Sequence, residues 1–307
     1  MKNTIQVDII LVNWNSGKLS REALSPYLNY QSDCLECKIH VVDNASTDDS
    51  AAVLLAPTYN LIVNAQNLGF GKACNRAYSF CSGDYILLLN PDTRSTTAVL
   101  EQLVRFLEKN ASYAVAGPQQ IDDNNNISRT CGRFPSFLSA FFEVTGLSKF
   151  SPSVFLTAPI MKDWNHMESR EVDHVMGSYM LIRKSALEKI GFMDEDYFVY
   201  MEDLDLSKRL HDAGYQTYYD ATCKVFHAGG GTGAKASAKR LAYSIDSRRI
   251  YWKKHLGLVA FLVLNILSLT IEPVLRIAQS LINKNKPGIW AVIKVYGNYA
   301  LGRSIKN

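Results

Sequence analysis

The sequence has no Gly-X-Y repeat, no heptad period, no internal repeat and no low-complexity tract beyond Asn124–Asn126, so it is neither fibrous nor a disordered linker. Cysteine is sparse: six occur in 307 residues, and only Cys34 and Cys37 stand as a C-x-x-C. No second pair and no His pair completes a zinc set, so they read as ordinary reduced thiols. Charge of one sign is also lacking. The 33 Lys/Arg against 29 Asp/Glu leave a formal +4, too little to argue for nucleic acid. The N-terminal stretch MKNTIQVDIILVNWN carries one Lys before a short apolar run. That run enters Asn13 and Asn15 directly, with no small-residue cleavage site, and reads as a first buried strand of a cytoplasmic chain rather than a signal peptide.

What is present is an apolar fraction of 47% with 20% charge, enough for a sizeable core in one large α/β domain or two ordinary ones. The +4 is an average over two unlike parts. From Lys235 onward 13 Lys/Arg meet 2 Asp/Glu, a balance of +11, and residues 1–234 carry −7. Within the basic part, Leu256–Ile271 is 16 residues long and free of charge. A bilayer span takes about 20 residues. Glu272 and Pro273 then interrupt the run before VLRIAQSLI resumes. Lys239, Arg240, Arg248, Arg249, Lys253 and Lys254 precede it, and Lys284 and Lys286 follow. A basic collar on an apolar helix fits a segment lying in or dipping into an anionic leaflet; the alternative is a buried helix or a dimer interface.

Four runs in the first half, 7–15, 38–46, 60–67 and 84–92, are nearly continuous in apolar character and end in Asn, Asp or Ser. Parallel strands buried on both faces look this way. Helical stretches at 17–30, 47–56 and 69–82 alternate with them, which predicts a doubly wound, mainly parallel sheet. Ligands of such sheets bind beyond the carboxyl ends of the strands. A helix at 95–109 and a strand at 113–117 follow, then an Asn/Asp-rich loop at 122–136 and an aromatic region at 137–170 on the acceptor side. Further expectations are a strand at 174–183, helices at 185–190 and 203–213, and a strand pair near 216–227.

Several strand ends carry chemistry. Asp43 can accept from a ribose hydroxyl or a base N–H, or serve as a helix N-cap, a role that Ser46 or Thr47 could fill instead. Asn67-Leu68-Gly69-Phe70-Gly71-Lys72 opens a helix, where glycine lets backbone approach a phosphate; it matches neither the P-loop nor the dinucleotide fingerprint. Asn90-Pro91-Asp92 offers one carboxylate for Mg²⁺ or Mn²⁺, and is equally good turn chemistry. Glu202-Asp203-Leu204-Asp205 places carboxylates at a helix start, as caps or as a general base surrounded by Tyr197, Phe198, Tyr200 and Met201. His227, before a glycine run, is a metal or phosphate contact or an ordinary structural histidine.

Taken in order, VNWN, VVDNASTD, NLGFGKACN, LLLNPDT, MGSYMLIRK, GFMDEDYFVYMEDLDLSKRL and FHAGGGT resemble family 2 glycosyltransferases of the GT-A fold, over about residues 5–235. The likeness is to the bacterial rhamnosyltransferases that build O-antigen and related surface polysaccharides. It implies a Rossmann-like α/β fold with a mixed, mainly parallel sheet flanked by helices, over residues 1–235, with 1–120 on the nucleotide side and 121–235 on the acceptor side. Residues 236–307 would form a helical, membrane-associating extension. The resemblance gives Asn13, Asn15, Asp43, Asn67, Gly69, Lys72, Asn90 and Asp92 to the donor. It gives Asp92 and His227 to Mg²⁺ or Mn²⁺, and Gly177, Ser178 and Glu202 to the acceptor side. Asp203 becomes the catalytic base. Asn90 stands where the family's D-x-D motif has its first Asp, which leaves Asp92 as the main metal carboxylate.

The activity implied is inverting transfer of L-rhamnose from dTDP-L-rhamnose to a polyprenyl-diphosphate-linked saccharide, at the cytoplasmic face of the inner membrane. The protein would be peripheral or monotopic, its extension on an anionic membrane surface, with no nucleic-acid partner. Two alternatives stay open: the same fold with a UDP-hexose or UDP-N-acetylhexosamine donor, and a silent sugar-nucleotide-binding scaffold.

Overall fold

A computed structural model describes residues 4–149, 160–229, 237–282 and 287–301. Lys235, Lys284, Lys286 and Gly230–Thr232 of the glycine run lie outside the described residues. The chain forms two compact units. One comprises residues 1–132, 165–195 and 203–229, and the other residues 133–164, 196–202 and 230–307.

The first unit opens with β1 (Ile5–Asn13), α1 (Gly17–Leu24), β2 (Leu35–Asp43), α2 (Ser50–Val53), β3 (Asn60–Val63), α3 (Phe70–Tyr78) and β4 (Tyr85–Leu89). The predicted strands and helices all appear: β1 and β2 keep the expected length but start and end two to three residues earlier, and β3, β4 and the helices are shorter, because cap and turn residues leave the regular elements where the loops begin. It continues with β5 (Thr93–Arg94), α4 (Thr97–Lys109), β6 (Tyr113–Ile121), β7 (Ile127–Ser128) and β8 (Cys131–Gly132). The stretch expected as loop at 122–136 is therefore partly paired: β7 turns back on β6, with Ile121 opposite Ile127 and the turn shaped by the Asp122 carboxylate.

After α5 (Phe137–Val144), which belongs to the second unit, come β9 (Arg170–Val172), β10 (His174–Val175), β11 (Tyr179–Arg183), α6 (Lys184–Ile190), α7 (Glu202–Asp212) and β12 (Gln216–His227). The strand order is β3-β2-β1-β4-β11-β6-β12-β5, with β11 antiparallel inside an otherwise largely parallel sheet. Alternate residues of β1, Val7, Ile9 and Leu11, are fully buried with Leu24, Tyr27, Leu100 and Leu103 in the main core. The opposite face carries a buried pair: His40 Nε2 lies 2.8 Å from Asp8 Oδ1, and the Gly83 N–H donates to Asp8 Oδ2 at 2.6 Å.

Two strand expectations needed correction. The strand expected over 174–183 is broken at 176–178, because Gly177 gives its N–H to a side chain and Ser178 gives its carbonyl to the neighbouring turn. The strand pair expected near 216–227 is one 12-residue strand, bulged between Asp220 and Lys224. Asp220 makes the bulge by accepting from the Thr222 N–H at 2.9 Å.

The second unit is helical: α5, α8 (Ser237–His255), α9 (Leu258–Ile282) and α10 (Ile289–Ala300). The apolar run is not interrupted at Glu272-Pro273, since α9 continues through them for 25 residues. Pro273 withholds one N–H from the helix ladder. The neighbouring Glu272 is tied down instead, by both Arg248 (2.8 Å) and Arg276 and by the Ser268 hydroxyl at 2.7 Å. Asn265 accepts from Arg249 at 3.0 Å and from Tyr299. Asn265, Ser268, Glu272 and Arg276 recur at helical spacing, so the polar stripe of α9 faces inward. Its exposed side is apolar: Leu258, Val259, Leu262, Ile266, Val274 and Leu281. That is the reverse of a water-facing helix.

Candidate active site

The parallel strands β1, β2, β3 and β4 all end at one edge of the sheet, and the register brings the predicted residues there. Asn13 lies beside Asp43 as the last pair of β1 and β2. Its side chain donates to Asp43 Oδ1 at 2.7 Å and to Ser46 Oγ at 3.0 Å. Asp43 is buried and also accepts from the Ser46 hydroxyl and N–H, at 2.6 and 3.1 Å. A carboxylate has about four acceptor positions, so Oδ2 keeps one for a ligand donor. Asn15 holds the next loop: its Oδ1 accepts from the Thr47 N–H at 2.7 Å, and its backbone takes the left-handed φ of 53° that Asn tolerates.

Asn44 organises the loop before α3, a role that sequence reasoning missed. Its side chain accepts from Asn64 at 2.8 Å and from the Leu68 N–H at 3.0 Å, and donates to Asn67 Oδ1 at 3.0 Å and to the Gly69 carbonyl at 3.2 Å. Asn67 in turn accepts from the Gly69 N–H at 2.9 Å. Gly69 precedes α3 with φ 83°, a conformation that favours glycine. Lys72 sits in the first turn of α3, half-exposed, with Glu195 3.9 Å away. An exposed pair of that length binds the lysine weakly and leaves it available to an anion.

Asn90 begins a turn, closed by the Thr93 N–H to the Asn90 carbonyl at 3.1 Å. The turn expected here is present, and it carries Asp92. β5 then pairs with the end of β12, placing His227 opposite Thr93. His227 Nε2 is 3.2 Å from Asp92 Oδ1. Burial opposes the Asp92 charge, but the hydrogen bond and positive field of His227 outweigh it and hold the carboxyl below its usual range. A carboxylate oxygen and an imidazole nitrogen, both still partly exposed, suit Mg²⁺ or Mn²⁺ completed by phosphate oxygens and water. Among the described residues the one trio of potential ligands is elsewhere: Asp8, His40 and Cys81, with Asp8 and His40 already paired.

Antiparallel β11 starts at the same edge, since Tyr179 is opposite Leu89. Ser178 is buried. Its carbonyl accepts from the Asn90 N–H at 2.9 Å and from Thr93 Oγ1 at 3.2 Å, while its hydroxyl is bonded to the Gln120 side chain. Gly177 donates its N–H to Asp203 Oδ2 at 2.9 Å, and the Leu204 N–H donates to Oδ1 at 2.8 Å. A methyl group on Gly177 would stand 3.1 Å from that carboxylate oxygen, so glycine is what lets the two meet. Glu202 is the buried first residue of α7, immediately after Tyr200 and Met201, whose φ values of 70° and 66° are strained for such side chains.

Asp205 differs in kind. Fully buried, it accepts from Arg209 Nε at 2.7 Å, and Arg209 also reaches the carbonyls of Ile190, Gly191 and Phe192. It anchors α7 to the end of α6, which leaves Asp203 as the carboxylate of the pair that faces the sheet edge. His174, missed by sequence reasoning, has its Nε2 3.7 Å from Asp203. A histidine inside a two-residue strand carries no periodic signal.

A mixed sheet with its polar loops gathered at one edge is the architecture of nucleotide-sugar transferases, and similarity to known proteins agrees. Over 97% of this chain and 81% of its own, the fold matches a mannosyltransferase of Pyrobaculum calidifontis solved with GDP-Man and Mn²⁺ (TM-score 0.55, 16% identity). A model of the family "Glycosyl transferase family 2" matches residues 8–191. The chain belongs to that family and is a glycosyltransferase. It is 28% identical over 224 residues to the N-acetylglucosaminyl-diphospho-decaprenol L-rhamnosyltransferase of Mycobacterium tuberculosis, covering 69% of this chain and 73% of that one. To the rhamnosyltransferase WbbL of Escherichia coli it is 27% identical, across 52% of this chain and 60% of that one.

Proposed function

We propose that this protein transfers L-rhamnose from dTDP-L-rhamnose, with inversion, to a polyprenyl-diphosphate-linked saccharide during surface-polysaccharide synthesis. The names of its rhamnosyltransferase relatives support the sugar and the lipid-linked acceptor. The observation that carries the mechanism is the Asp203 carboxylate, oriented by two backbone N–H groups beside the donor-side strand ends. In this reading Asn13, Asn15 and Asp43 hold the nucleoside, and Asn67, Gly69, Lys72 and Asn90 line the diphosphate. Asp92 and His227 would hold Mg²⁺ or Mn²⁺, which neutralises diphosphate charge when bound.

Gly177, Ser178 and Glu202 shape the acceptor side. Asp203 takes the proton of the acceptor hydroxyl as its oxygen bonds to the anomeric carbon. The bond from that carbon to the diphosphate oxygen breaks, and the nucleoside diphosphate leaves with the electron pair. One base suffices because the leaving group needs no acid, and attack from the opposite face inverts the centre. Lys72 offers a cation to the departing charge.

We assign residues 1–235 to catalysis and 236–307 to membrane association at the cytoplasmic face. The inverted polarity of α9 supports the second part: its apolar side is exposed, Trp290 of α10 stands out beside it in the same unit, and Lys253 and Lys254 end α8. The test is transfer with purified lipid-linked acceptor and a panel of nucleotide sugars, read by mass spectrometry, for the wild type and Asp203→Asn. The expected result is rhamnosyl product from the dTDP donor alone, abolished by the substitution while donor binding persists. Near-normal transfer by Asp203→Asn would overturn the assignment of the base, and preference for a UDP-sugar would overturn that of the donor.

A further inference from the structure

We propose that His174 is a positioning residue for Asp203: its imidazole, keyed by the Ser207 hydroxyl, closes on the carboxylate and fixes the orientation in which it meets the acceptor. The inference rests on the reading of Asp203 as the base. Asp203 and Ser207 are four residues apart on α7 and so share a face. His174 stands against that face. Its Nδ1 lies 2.9 Å from Ser207 Oγ and its Nε2 3.7 Å from Asp203 Oδ2.

The His174 side chain is 9% exposed. Burial pushes its pKa below the usual 6.5, against the opposing pull of Asp203 and Asp173, so the ring is neutral near pH 7. A neutral imidazole has one N–H and one lone pair, and their placement follows from the partners. A lone pair on Nε2 would confront the carboxylate. The arrangement without that repulsion has Ser207 donating to Nδ1 and the proton on Nε2, aimed at Asp203.

At 3.7 Å the contact is electrostatic rather than a hydrogen bond. Catalytic contacts of this kind shorten when substrate arrives. A neutral partner also serves a base better than a cation would. An arginine here would stabilise the carboxylate and weaken its hold on the incoming proton, whereas a neutral N–H orients it at smaller cost to basicity. Once closed, His174 adds a third donor to the Gly177 and Leu204 N–H groups that already hold the two oxygens.

The experiment compares His174→Ala, His174→Gln, Ser207→Ala and Asp203→Asn in the transfer assay, with melting temperatures. Misplacing a reacting group by about 1 Å costs about 100-fold. The expected loss in kcat for His174→Ala is therefore about 10- to 100-fold, with the donor KM unchanged. Glutamine, which carries an N–H to the Nε2 position, restores most of kcat, and Ser207→Ala falls between.

An unchanged kcat in His174→Ala would overturn the proposal and leave Asp203 standing as the base. So would a loss in both histidine variants that tracks melting temperature alone, since a purely structural histidine behaves that way. Normal transfer by Asp203→Asn would remove the base itself, and the proposal with it.

Discussion

Gly177→Ala tests the arrangement at its tightest point. The backbone there is outside the left-handed region, so alanine adds no strain of its own. Its Cβ would stand 3.1 Å from Asp203 Oδ2 and 3.2 Å from Asp203 Cβ. Comfortable contact begins at about 3.5 Å, so the carboxylate has to recede by about 0.4 Å. The Gly177 N–H bond then stretches from 2.9 Å to about 3.3 Å, past the normal range. A hydrogen bond to a charged group contributes about 1.5–3 kcal/mol. Alanine returns about 0.4–1 kcal/mol by restricting the unfolded chain. The net expectation is about 1 kcal/mol of lost stability. The rate effect is larger in kind: scaled from about 100-fold per 1 Å, a displacement of this size costs about sixfold in kcat. The proposed donor residues lie on other loops, so the donor KM should hold. Steady-state transfer with lipid-linked acceptor, paired with thermal melting, measures both quantities. A kcat within twofold of the wild type would refute the claim that Gly177 sets the position of Asp203. A tenfold rise in donor KM would refute the separation of donor and acceptor sides.

Two other outcomes are expected. Asp92→Ala should weaken Mn²⁺-dependent binding of the nucleotide sugar by at least about tenfold in calorimetry, and leave the weaker metal-free binding as it was. Ile266→Asp combined with Val259→Asp should release the protein from anionic vesicles in sedimentation while transfer to a water-soluble acceptor analogue continues; a wild-type protein that stays in the supernatant would refute membrane association through α9.

Much of the candidate site was legible because strand ends are. A run of buried residues that stops at Asn, Asp or Ser marks both an element boundary and a ligand-facing loop, which is why Asn13, Asp43, Asn67 and Asp92 stood out. Their companions did not. Asn44 holds four partners within one loop, and His174 and Ser207 are joined only when β10 packs on α7. Such pairs depend on contacts between distant segments, and no local period encodes them.

The tail teaches the same lesson from the other side. Its charge balance of +11 was readable at once, but Glu272 and Pro273 looked like an interruption. In the folded unit Glu272 is neutralised by Arg248, a residue 24 positions earlier, and the helix runs on.

The sequence by itself determined the alternation of strands and helices, the loops that carry polar side chains and the contrast between an acidic body and a basic tail, because these follow from the order of residue types. Only the tertiary structure decided which carboxylate of Glu202, Asp203 and Asp205 meets the Gly177 N–H and which meets Arg209, and which side of α9 is exposed. Both depend on what packs against a helix face: Arg209 claims Asp205, Gly177 leaves room for Asp203, and Arg248 draws the polar stripe of α9 inward.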